Sequence, residues 1–203
     1  MLPSRFILMG VMIYIAIELI GSAFLQYIPG YQDKEQLVIT VMRFCELLGF
    51  AFIIKHFRML ESLGLSKPSS QDVRIFLIIS TLCTLIVGVL YLIQPEWFTY
   101  IKLPEWLHGV TGLFLMVVLA PIVEELVFRG LVYRMLREQW GVFISVGISA
   151  VFFSLLHHGL IVSPQLAGGI IFAFAYEWSR SLWVSIALHM GANSAVYVLS
   201  MMS

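Results

Sequence analysis

Apolar residues follow one another along this chain in long unbroken blocks, and the polar residues fall mostly between them. Continuous apolar runs occupy residues 6–28, 37–54, 73–93, 108–136, 142–162, 164–178 and 183–201. A bilayer core needs roughly 20 helical residues to cross it, so the pattern predicts an all-α, polytopic transmembrane helical bundle of about seven spans, within roughly six to eight. The run at 108–136 is long and carries Pro121, whereas 164–178 is short and follows Ser-Pro-Gln. Strands of a membrane barrel would alternate over segments of about ten residues, and these runs do not alternate.

Composition agrees with the pattern. Of 203 residues, 60% are hydrophobic and 12% charged, and the mean hydropathy is +0.94. So little polar surface cannot cover a water-soluble globule. A formal net charge of zero gives no reason to expect a nucleic-acid partner. Cys45 and Cys83 lie within apolar runs and read as small buried hydrophobes. The first run follows Arg5, is longer than a signal-peptide core and lacks a small-residue cleavage site after it, so it reads as a retained span. Lys55, Arg58, Lys67 and Arg74 form the largest basic cluster between runs, which places that loop, and with it the N-terminus, in the cytoplasm. Arg134, Arg137 and Arg180 return to that side, while Lys34 and Lys102 lie on the other. Trp106, Trp140, Trp178 and Trp183 sit near run ends and suit interfacial anchoring.

The stretch Pro-Ile-Val-Glu-Glu-Leu-Val-Phe-Arg-Gly at 121–130 then stands out, because it carries Glu124, Glu125 and Arg129 inside a span. Each charge at a helix centre costs about 2.5–3.5 kcal/mol on insertion scales, so all three need partners or a wet cavity. Glu125 and Arg129 share a helical face and suit an ion pair. Glu124 is turned by roughly 100° from Glu125 and is the carboxylate left over. Held in a low-dielectric site, it can serve as a general base. The fifth run adds His157 and His158 after Phe153, and the seventh adds His189 and Asn193, which share a face. Three apolar segments each bringing such groups point to one site. Side chains of these types also suit a purely structural ion pair, or the proton pathway of a transporter. Arg43 and Glu46 are three apart and can pair, and Glu18 has no local partner; these read as structural.

The motifs Glu124-Glu125-x-x-x-Arg129, Phe153-x-x-x-His157 and His189-x-x-x-Asn193, in that order and in separate runs, resemble those of the CAAX-protease and bacteriocin-processing (Abi) family of intramembrane endopeptidases. The resemblance divides the chain into N-terminal helices over 1–104 and a catalytic core over 105–203. It implies proteolysis within the bilayer of a peptide or membrane-associated protein, in the manner of the compact bacterial members and their cytoplasmic membrane. It does not imply a prenylated substrate, since bacteriocin-immunity proteins and regulators share the family.

Peptide hydrolysis needs a base for water and donors for the oxyanion. Glu124 and His157 suit the first task, and His189 and Asn193 the second. Arg129 would compensate Glu125 in a supporting role with Phe153. The rival arrangement makes Glu124, His157 and His189 zinc ligands. No His-Glu-x-x-His spacing demands a metal, so the expectation is a glutamate mechanism without cofactor. One conflict remains: straight helices would put Glu124 and His157 about 20 Å from the inner membrane face but His189 only about 10 Å. Tilt, a break near Pro121 or displaced helix ends must reconcile the depths.

Overall fold

The computed structural model describes residues 3–30, 34–98, 102–157 and 163–202, and no strand occurs among them. Seven helices follow the seven apolar runs: α1 (Ser4–Tyr27), α2 (Glu35–His56), α3 (Ser70–Ile93), α4 (Val110–Gln139), α5 (Val142–Leu156), α6 (Pro164–Ser179) and α7 (Leu182–Met202). The protein is therefore a polytopic helical membrane protein. Five helices, α1 to α4 and α7, are long and apolar enough to cross a bilayer, whereas α5 and α6 have 15 and 16 residues.

Local chemistry sets the helix ends. Ser69 and Asp72 close a reciprocal capping box at the start of α3, with Ser69 N–H donating to Asp72 Oδ2 at 2.7 Å and Asp72 N–H to Ser69 Oγ at 3.2 Å. Ser163 caps α6 by accepting from Leu166 N–H at 3.2 Å, and Pro164 follows at the position where a missing N–H does no harm. The fifth run was expected to stay helical to 162, but α5 stops at Leu156. There His157 Nδ1, in place of its own backbone N–H, bonds the Phe153 carbonyl at 2.8 Å, while that N–H turns to Ser154 O at 3.1 Å. His158 lies outside the described residues.

Helix α4 runs through the centre, packing against α1, α2, α5, α6 and α7. It does not break at Pro121. Two π-helical stretches, Leu115–Leu119 and Leu126–Tyr133, flank the short α-helical segment Ala120–Glu125 that carries the proline. Ala120 N–H bonds Leu115 O, five residues back. The wider turn before the proline accommodates a ring that would clash in an unmodified helix. Phe6, Phe50, Ile53, Val123, Phe128, Leu131 and Leu182 form the core around α4. Helices α5 and α6 pack closely because Gly169 meets Ala150, where a Cβ would approach the alanine Cα to 3.0 Å. A smaller cluster, Phe172, Ala175, Val184 and Leu188, seats Ile75, Phe76 and Ile79 of α3. Elsewhere α3 exposes its apolar side chains, and so does much of α1 and α2, as a lipid-facing surface does. Cys45 is exposed and Cys83 half-buried, so they face outward rather than into the core; apolar solvent removes the reason to bury them.

The conflict of depths is resolved at the start of α7. Leu182 and Leu63 are fully buried, and Leu182 N–H donates to Gly64 O at 3.0 Å. Gly64 has φ +71°, and a side chain there would strike the Arg180 carbonyl. The first residue of α7 thus begins inside the bundle, beneath the loop that joins α2 to α3. This recess sets His189 deeper than counting from a surface end suggests.

Candidate active site

Glu124, on α4, points its Oε2 at two imidazoles carried by other helices. His157 Nε2 at the end of α5 is 3.3 Å away, and His189 Nε2 on α7 is 3.6 Å away. That oxygen is buried and meets no donor in hydrogen-bonding geometry. Glu125 turns the other way: its Oε1 lies 2.7 Å from Arg129 NH1 and 2.9 Å from His189 Nδ1. Both Glu125 and Arg129 have no exposed surface. Arg129 NH2 donates to Gly169 O at 2.9 Å, tying α4 to α6. Its guanidinium lies 5.0 Å from the Phe153 ring, 5.4 Å from Phe172 and 5.9 Å from Phe128, so aromatic faces supply much of its cavity.

These contacts restrict the tautomers. A carbonyl can only accept, so His157 Nδ1 carries the hydrogen that bonds Phe153 O. Its Nε2, when neutral, then turns a lone pair toward the Glu124 carboxylate, and the two acceptors at 3.3 Å are natural holders of one shared proton. His189 Nδ1 likewise donates to Glu125 Oε1. With that hydrogen on Nδ1, its Nε2 donates only when it carries a second proton. Ring contacts hold both imidazoles: Phe153 lies 4.4 Å from His157 and 5.5 Å from His189, and Phe172 stacks on His189 at 4.7 Å.

Asn193 stands one turn beyond His189, and its Nδ2 donates to Met116 O at 2.8 Å. In the π register begun by Ala120, Pro121 is the residue whose N–H would have reached that carbonyl. The side chain replaces the donor that proline lacks, and one amide hydrogen is left over.

The structure thus brings Glu124, His157 and His189 together, joins Glu125, Arg129 and Phe153 beneath them, and sets Asn193 at the edge. Phe172 and the Met116 carbonyl escaped sequence reasoning: a phenylalanine among apolar residues carries no signal, and a backbone carbonyl has none. A third feature is more surprising. Arg43 on α2 bonds Glu46 Oε2 at 2.6 Å and also reaches Glu18 on α1, so the residue without a local partner finds one across helices. Arg43 is within Coulombic reach of Glu124, and α2 packs on the Ala120–Glu125 segment. Among the described residues no group of three or more His, Cys, Asp or Glu side chains is arranged as a metal-binding cluster.

Comparison with known proteins bears on the same segment. Residues 105–195 match the family described as type II CAAX prenyl endopeptidase Rce1-like. The chain is 32% identical over 85 residues to the putative membrane peptidase YdiL of Bacillus subtilis, covering 41% of this chain and 35% of that protein. It is 29% identical over 98 residues to the membrane-embedded CAAX protease MroQ of Staphylococcus aureus, covering 45% and 40% respectively. A UPF0177 protein, YbdI of Lactococcus lactis, is 33% identical over 106 residues, or 51% of this chain and 50% of that one. The chain thus matches between a third and a half of the length of these relatives. No solved structure matches. All six charged and amide-bearing residues of the site lie inside the segment, residues 105–195, that matches the Rce1-like family of type II CAAX prenyl endopeptidases.

Proposed function

We propose that this protein is an intramembrane endopeptidase that hydrolyses a peptide or membrane-associated protein with a water activated by Glu124 and His157. The observation that carries the reading is the buried Glu124 Oε2, which lacks a hydrogen-bond donor and faces His157 Nε2 at 3.3 Å. A water between substrate and this pair gives up a proton to it as the oxygen attacks the scissile carbonyl. The carbonyl oxygen takes the negative charge and is met by the remaining amide hydrogen of Asn193 and by His189 when its Nε2 carries a proton. The intermediate collapses as the carbon–nitrogen bond breaks, and the stored proton passes to the leaving amine. Glu125 holds the His189 ring through Nδ1, and Arg129 balances Glu125. Phe153 packs against both imidazoles and the guanidinium.

We place the protein in a bacterial cytoplasmic membrane with its N-terminus inside. The relatives are bacterial, and Lys55, Arg58, Lys67, Arg74, Arg134, Arg137 and Arg180 gather at one end of the bundle. Zinc chemistry on Glu124, His157 and His189 is the competing reading, since both Nε2 atoms face one carboxylate oxygen, although the three side chains are not arranged as a metal-binding cluster.

The deciding experiment incubates purified protein with membrane proteins in lipid and maps new termini by mass spectrometry, wild type against Glu124→Gln. New termini that depend on Glu124 are expected. Identical termini from the variant, with an unchanged unfolding temperature, would remove Glu124 from the chemistry.

A further inference from the structure

At the arginine-rich end of the bundle, the start of α5 and the end of α6 leave between them a groove of about 640 Å³, lined by Val142, Phe143, Phe174, Glu177 and Trp178. Its apolar wall is aromatic: the Phe143 and Phe174 rings lie 6.1 Å apart, and Phe174 and Trp178 lie 5.7 Å apart. Phe143 is 81% exposed and Trp178 62%, so both are presented to the bilayer. The other end of the groove is polar. Glu177 Oε2 accepts from Tyr133 Oη at 2.6 Å, and its Oε1 takes Arg180 NH2 at 2.8 Å and both Nε and NH2 of Arg137 at 3.3 Å. Two guanidiniums therefore share a single carboxylate oxygen, and their side chains remain 34% and 65% exposed. Two guanidiniums thus meet one carboxylate at the mouth of an aromatic cleft.

We infer that this groove binds an anionic phospholipid, with the phosphodiester on Arg137 and Arg180 and an acyl chain along Phe143, Phe174 and Trp178. The positive charge of the two guanidiniums selects the sign of the ligand, and the guanidinium fork matches two oxygens of one phosphate. Basic pockets between membrane helices are suited to such headgroups, and tryptophan settles at the same interfacial depth. A soluble phosphate would use only the arginines and leave the aromatic wall idle. A zwitterionic lipid brings its own cation against the two already present. The other open groove, between α1 and α2 beside Gly21, Met42 and Cys45, offers no such complementarity, since its lining is apolar. The assignment is independent of the proteolytic reading.

The test reconstitutes the full chain in nanodiscs of phosphatidylcholine that contain about one fifth brominated lipid. Quenching of Trp178 is read as the difference between wild type and Trp178→Phe. Brominated phosphatidylglycerol is expected to quench this contribution at least about twofold more than brominated phosphatidylcholine. The Arg137→Gln/Arg180→Gln variant should lose the preference. Arg180→Gln alone, at a side chain so exposed that folding does not depend on it, should weaken the preference. Equal quenching by both lipids overturns the inference, as does a preference that survives in the double variant. Reversal of the phosphatidylglycerol preference by excess inorganic phosphate would assign the arginines to a soluble anion, and overturns it too.

Discussion

The Asn193 side chain supplies to the Met116 carbonyl, at 2.8 Å, the hydrogen bond that Pro121 cannot. Asn193→Ala should therefore do two separable things. Loss of the donor to this part-buried carbonyl is expected to destabilise the protein by about 0.5–1.5 kcal/mol. Loss of an oxyanion donor is expected to lower the turnover number by about 100- to 1,000-fold. Adding Pro121→Ala restores a backbone N–H close to the orphaned carbonyl, so thermal unfolding of the double variant should recover toward wild type while turnover stays low. Recovery of both would make Asn193 a structural residue only.

Arg129 is the arginine bonded to Glu125, and both side chains are wholly buried. Arg129→Ala leaves the buried Glu125 carboxylate without its guanidinium and the Gly169 carbonyl without its donor, and a loss of about 3–5 kcal/mol is expected. Arg129→Met with Glu125→Gln removes both charges and should lose much less. Unfolding curves in detergent and in lipid compare the two directly; equal losses would mean that the charge pair is not what Arg129 contributes.

Glu125→Gln probes the state of His189. The amide oxygen still accepts from Nδ1, but the negative charge beside the ring is gone. The turnover number is expected to fall by about 100-fold or more with little change in KM, because the contribution sought exists in the transition state. A rise in KM alone would move Glu125 from the chemistry to substrate binding.

Removal of metal separates the two mechanisms for the same residues. Under the glutamate route, activity should survive exhaustive chelation in a preparation shown by elemental analysis to hold far less than one metal per chain. Activity lost on chelation and restored by one equivalent of zinc would instead make Glu124, His157 and His189 ligands.

The helices were legible because every span announces itself by an unbroken apolar run, and the motif residues because a charge or imidazole in such a run is costly. Helix ends were less so. The apolar run continues past Leu156, and only the bond from the His157 ring to Phe153 O shows why the helix does not. The recessed start of α7 depends on Gly64 and Leu182 meeting across more than a hundred residues, a contact that no local pattern announces. The π winding around Pro121 is likewise invisible to periodicity, because the stretch is apolar on nearly every face. Glu18 illustrates the same limit: its partner Arg43 lies on another helix, and only packing reveals it.

The shortness of α5 and α6 has a bearing on where the water for the proposed hydrolysis would come from. Fifteen and sixteen residues span only about 22–24 Å, against a hydrocarbon layer of about 30 Å. The bilayer beside this pair must pinch inward or draw its headgroup region down to meet the helix ends. The imidazole at the end of α5 keeps 32% of its side chain exposed, so a bilayer thinned beside this helix end would bring hydrated headgroups toward it. A peptide bond that is to be hydrolysed then need not travel to the dry middle of the membrane, because hydrated lipid comes down to meet it.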